Sequence, residues 1–248
     1  MDKLKIFVLG AARSGTSVTG TCLKSVFRLQ GRGESHVMPA FQAMLEAFDD
    51  YKVSKRGKGR YAFTELEPAK VHQHIHDFVR AFYADLYPHP RRGWIDKTPG
   101  PGAIAGIPVI RAIFPDARIV ITKRGGLETV DSHMKKFKKG IAAASKVWAR
   151  SMDRIILAEQ AGQDLLVVDQ YDIGNSPDAV AAKLAQYLGQ PDKAAEIAEF
   201  FRTKEPQKST ETDRARRPLL ADMNWSDADK EAFAAAAGET MARAGYPM

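Results

Sequence analysis

The run Gly10-Ala-Ala-Arg-Ser-Gly15-Thr16-Ser17 stands between an apolar stretch, Ile6–Leu9, and a helix-compatible segment. In that context a glycine loop is a phosphate cradle, because backbone N–H groups converge on an anion at the positive end of a helix dipole. Gly10, Arg13, Ser14, Gly15, Thr16 and Ser17 are the expected phosphate contacts. The spacing equals that of a nucleoside-triphosphate loop, yet Thr16 occupies the place of the lysine that holds β- and γ-phosphates. ATP or GTP chemistry, as in a P-loop small-molecule or nucleoside kinase, therefore loses its cation and is kept as an alternative. A cation appears instead at Arg13, inside the loop, where it can reach a phosphate or a group leaving from it.

A strand ending in Arg13-Ser-Gly-Thr-Ser17 resembles the 5′-phosphosulfate loop of sulfotransferases that use 3′-phosphoadenosine 5′-phosphosulfate (PAPS). Arg118-Ile-Val-Ile-Thr-Lys-Arg124 followed by Gly125-Gly-Leu-Glu-Thr-Val-Asp-Ser132 is similar to that family's 3′-phosphate motif, an arginine at a strand end and a serine eight residues on. The guanidinium of Arg124 and a hydroxyl about one and a half helical turns into the next helix would both face one phosphate. Lys136, one turn past Ser132, would add charge. The family usually has Asp-Pro after the arginine, whereas Gly125-Gly126 stand here. The resemblance implies PAPS as co-substrate, 3′-phosphoadenosine 5′-phosphate (PAP) as product, no metal, and a hydroxyl-bearing acceptor: a peptide tyrosine, a carbohydrate, a lipid or a phenol. A non-catalytic nucleotide-binding protein is a further alternative.

Sulfuryl transfer needs a base for the acceptor hydroxyl and cations for the leaving oxygen. Gly33-Glu34-Ser-His36 resembles the segment of tyrosylprotein sulfotransferases that carries a catalytic glutamate, which makes Glu34 the expected base and His36 the fallback. The segment Asp96-Lys97-Thr98-Pro99 implies that Lys97 partners Arg13 at the leaving phosphosulfate oxygen. By the same resemblance Ser209 stands near the sulfate and Arg217 near the nucleotide, although the spacing is two residues longer than in the family. His72, His74 and His76 do not read as a metal site, because only His72 and His76 share a helix face and no carboxylate or cysteine supports them.

These residues require elements to hold them. Strands are expected at Lys5–Leu9, Gly93–Asp96, Arg118–Lys123 and Asp164–Asp169. Helices are expected at about Thr16–Leu29, Pro39–Asp50, Glu67–Leu86, Ile104–Phe114, Leu127–Phe137, Ala142–Ala161, Pro177–Leu188 and Ser226–Ala244. Gly31–Gly33 reads as a break, residues 52–62 as a basic surface loop, and the stretch up to Arg217 as a polar tail. The alternation predicts an α/β fold of P-loop type, a mostly parallel central sheet flanked by helices, spanning residues 1–248 as one domain. Acceptor-side loops are expected around 31–66 and 205–222. Trp148 and Trp225 are expected in the core, and Cys22 as a helix-buried thiol.

The net charge of +7 favours anionic partners without choosing among them, and no nucleic-acid-binding signature accompanies it. The longest apolar runs are too short to cross a bilayer, and Met1-Asp-Lys-Leu-Lys is not a secretory signal. The expectation is a cytoplasmic protein, with no nucleic acid and no membrane span; a possible homodimer is not readable from the sequence.

Overall fold

The computed structural model describes residues 3–55, 65–204 and 216–248. Five strands form one sheet: β1 (Leu4–Gly10), β2 (Gln30–Glu34), β3 (Gly93–Pro99), β4 (Arg118–Lys123) and β5 (Leu166–Asp169). Their order is β2-β3-β1-β4-β5 and every pairing is parallel, with Val8 opposite Lys97 and Val120, and Glu34 opposite Lys97. Central strands of a parallel sheet are covered on both faces and read as unbroken apolar runs. Ile6, Phe7, Val8 and Leu9 are all fully buried, as that requires.

Alternation along β1 separates two cores. Phe7 and Leu9 face α3 (Pro68–Leu86), α4 (Pro101–Ala105), α5 (Ile107–Ile113), α6 (Gly126–Phe137), α7 (Ile141–Gln160) and α11 (Asp227–Arg243). Ile6 and Val8 face α1 (Thr16–Val26), α9 (Pro177–Tyr187) and α10 (Ala194–Thr203). Trp148 is buried in the first core, and Trp225 is half-buried against Phe233. Cys22 lies in the second, where burial pushes its thiol up to about 12. No helix among the described residues is long and apolar enough to cross a membrane.

Four local expectations need correction. Gly31–Gly33 is not a break: it lies inside β2, an edge strand paired to β3 with a register shift between Gly31 and Glu34. The helix expected at Pro39–Asp50 is α2 (Val37–Lys55), so Lys52–Lys55 are helical rather than loop; residues 56–62 lie outside the described residues. Ile104–Phe114 is split by Gly106 into α4 and α5. The expected polar tail contains α10, which buries Ile197, Ala198 and Phe201, and a short helix α8 (Gln170–Asn175) follows β5.

Candidate active site

All five strands deliver a polar group to the same edge of the sheet. β1 runs into the glycine loop, β2 ends at Glu34, β3 carries Lys97 near its end, Arg124 follows β4, and β5 ends at Asp169. Ligands of open α/β sheets bind outside the carboxyl ends of the strands, where connections diverge.

The loop is held tightly from below. Gly10 has φ +151°, and a Cβ there would stand 2.2 Å from the Thr122 carbonyl oxygen, so only glycine fits. Ser14 is buried within the loop. Its buried hydroxyl bonds Ala11 O at 2.7 Å and Thr122 O at 2.9 Å, fastening the loop to β4 instead of facing outward. Thr16 is buried at the start of α1, and Ser17 is exposed one position on. Gln170 of α8 packs against Gly15 and walls one side of the loop.

Arg13 joins the glycine loop to α6: its Nε donates to Ser132 Oγ at 3.0 Å. The Arg124 carbonyl accepts from the Trp148 indole at 3.0 Å, and the Gly126 N–H meets Met241 Sδ, so α7 and α11 pin the junction from behind. Burial pulls the Arg124 guanidinium below the ordinary arginine value, while nearby Glu128 opposes the shift. Glu128 is itself buried, which pushes its carboxyl above the usual glutamate value against the pull of Arg124. A Cβ at Gly125 would lie 2.3 Å from Glu128 Oε2. A carboxylate thus stands in the first turn of α6 even though position 125 is glycine. An acidic residue in the first turn of the expected helix was the available sequence signal for Glu128. Lys136 lies on α6 beyond Ser132 with its side chain exposed.

On the other side of the loop, Lys97 Nζ donates to Ser17 Oγ and to Glu34 Oε1, both at 3.2 Å. Its side chain is 18% exposed, against 39% for Glu34 and 62% for His36. His36 Nε2 lies 3.4 Å from Glu34 Oε2, with the His36 backbone at φ +53°. Beneath them the buried Asp96 accepts from Ser35 Oγ at 2.7 Å, from Thr98 Oγ1 at 3.1 Å and from the Tyr83 hydroxyl. Burial raises the Asp96 carboxyl while these donors oppose it. Sequence reasoning missed Asp96, because its partners come from positions 35, 83 and 98.

Arg217 sits between the rings of Tyr171 and Tyr246, at 4.5 and 4.9 Å, and its Nη2 donates to Asp169 Oδ2 at 2.9 Å. Asp169 also accepts from the Tyr246 hydroxyl and the Tyr171 N–H, so this clamp ties the C-terminal segment to the end of β5. Ser209 lies outside the described residues. His72 pairs with Asp49, and no group of His, Cys, Asp or Glu able to hold a metal occurs among the described residues.

The carboxyl ends of the strands thus gather cations at Arg13, Arg124 and Lys97 and a half-exposed carboxylate at Glu34. A family model described as "Sulfotransferase family" matches residues 5–194. Among curated proteins none matches the sequence. The chain is similar in structure to sulfotransferase STF9 from Mycobacterium avium (TM-score 0.53, 13% identity, 97% of this chain and 76% of that one). It is also similar to the sulfotransferase domain of the curacin biosynthetic pathway (TM-score 0.54, 14% identity, 100% and 99%). A third likeness is to the sulfotransferase domain of the Synechococcus PCC 7002 olefin synthase (TM-score 0.51, 18% identity, 98% and 95%). At these identities the solved structures speak to fold.

Proposed function

The chain belongs to the sulfotransferase family, and from that premise we propose that it moves a sulfuryl group from PAPS to an acceptor hydroxyl. The observation that carries this reading is Lys97, whose one ammonium group touches both the loop hydroxyl of Ser17 and the Glu34 carboxylate at 3.2 Å. In this reading cation, phosphate loop and base candidate adjoin one reacting centre.

In this reading Arg124 and Ser132 hold the 3′-phosphate, and the loop amides with Arg13 hold the 5′-phosphosulfate. The fit rests on the Gly10 cradle and on the Arg13–Ser132 hydrogen bond, which joins the two anion sites. Glu34 takes the proton of the acceptor hydroxyl as its oxygen bonds to sulfur. The bond between sulfur and the donor's phosphate oxygen breaks, and its electron pair stays on that oxygen, where Lys97 and Arg13 offset the charge. Asp96 acts on this chemistry only by holding Ser35, and so the segment between Glu34 and His36. Arg217 serves the site by anchoring the C-terminal segment on Asp169 and by lending positive charge beside Glu128. A cytoplasmic setting and no metal requirement go with this reading.

Calorimetry with PAP against ATP tests it. The expected result is PAP binding at least about tenfold tighter than ATP. Preference for ATP, or indifference to both, would overturn the proposal.

A further inference from the structure

Residues 135–154 hold seven Lys or Arg side chains and one carboxylate, Asp153, in a chain whose net charge is +7. Asp153 is already engaged by Arg243 and Thr240 of the neighbouring helix, and the nearby Asp131 by Lys135. Five further cations, Lys138, Lys139, Lys146, Arg150 and Arg154, are exposed on two consecutive elements. The turn from α6 to α7 presents Lys138 and Lys139, and α7 carries Lys146, Arg150 and Arg154 at four-residue spacing along its exposed face. The opposite face of α7, with Ile141, Ala144, Trp148, Met152 and Ile155, is buried. At 1.5 Å per residue the strip runs about 25 Å from the turn to Leu157.

Its composition is unusual in a second respect. Every exposed position from 135 to 157 is Lys, Arg, Gly, Ala, Phe or Leu. Phe137, set among four lysines, is 49% exposed with its ring tilted against His133, and Leu157 at the far end is 58% exposed. Specific recognition of a peptide, a sugar or a nucleic-acid base uses neutral hydrogen-bonding side chains among the cations, and this strip exposes none. Cations interleaved with exposed apolar groups match the interface of an anionic bilayer, where lipid headgroups draw the charges and the acyl boundary takes the aromatic ring.

We propose that the outer face of α6 and α7 docks on an anionic lipid surface. Binding there requires no nucleotide, so it stands or falls separately from the proposed reaction. The strip begins past Ser132 on the same helix, so docking would bring the end of that helix to the bilayer.

The test is co-sedimentation of the full chain with vesicles of phosphatidylcholine alone or mixed with phosphatidylglycerol. The expected result is binding to the mixed vesicles only, declining as salt is raised. Neutralising Lys138, Lys139, Lys146 and Arg150 together to Gln should lower the partition coefficient by more than about tenfold. Lys183→Gln with Lys204→Gln, on other elements, should change it less than about threefold. Phe137→Ser should weaken binding and leave its salt dependence unchanged. Equal binding to both vesicle types, or retained binding in the four-site variant, would overturn the proposal. Retention on heparin with no sedimentation with either vesicle would overturn it too, by assigning the strip to a soluble polyanion.

Discussion

The two halves of the candidate site are built differently. On the side of β4 and β5, Arg124, Glu128, Ser132 and Asp169 are held between packed helices, and Trp148, Met241 and Tyr246 press on them from behind. On the side of β2 and β3, Glu34 and His36 project from an edge strand and a positive-φ residue into solvent, and the buried anchor is the Asp96 network below. Rigid burial suits a nucleotide of fixed shape, because prearranged donors need no ordering when it binds. Partial exposure suits an acceptor that must enter, give up a proton and leave.

The comparison predicts that the halves fail separately. Glu34→Gln should lower sulfuryl transfer by about 10²- to 10⁴-fold while PAP affinity stays within about threefold. Steady-state transfer to a panel of phenols and alcohols, set beside calorimetry, checks this. If transfer survived the substitution, the solvent-facing half would not hold the base.

Asp96→Asn should act on the same half indirectly. The amide cannot accept from three hydroxyls as a carboxylate does, so about 1–3 kcal/mol of stability should be lost, along with turnover. PAP affinity should hold. Thermal denaturation and calorimetry together read the two effects, and an equal fall in PAP affinity would erase the boundary between the halves.

The halves also differed in legibility. The strand–loop–helix junctions at Gly10–Ser17 and Arg124–Ser132 were readable because each lies within about ten residues of continuous chain. β2 was not: Gln30-Gly-Arg-Gly-Glu34 has no apolar alternation, and only pairing with β3 makes it a strand and sets Glu34 opposite Lys97. α10 was a different miss. Its Ile197, Ala198 and Phe201 have helical spacing, and the polar residues between them hid a signal that was present. Asp96 and the Arg217 clamp depend on contacts across tens of residues, which no local pattern carries.

A smaller effect should come from Gly125→Ala. Its Cβ would displace the Glu128 carboxylate and disturb the neighbouring Arg124, lowering PAP affinity by roughly threefold to tenfold; adding Glu128→Ala should recover part of the loss. Purely additive losses in calorimetry would mean the two positions are not coupled.

The smallest expected change is in pH dependence. The Glu128 carboxyl lies above its usual value when folded, so the folded chain keeps this proton longer than the unfolded one. Its contribution is fully present below the unfolded value of 4.5 and is lost as pH rises through the folded value. Glu128→Gln should therefore flatten the decline of stability above pH 4.5, followed by urea denaturation across pH. An unchanged slope would place the carboxyl in solvent.

The central claim is that the glycine loop and the Arg124–Ser132 junction grip opposite ends of one adenosine bisphosphate. Calorimetry comparing PAP with adenosine 5′-phosphate, in the wild type and in Arg124→Ala, tests it most directly. The account predicts that the wild type favours PAP by about 10- to 150-fold, the worth of one or two charged hydrogen bonds, and that the preference collapses in the variant. Equal affinity for the two nucleotides in the wild type, or a preference that survives loss of the guanidinium, would contradict it.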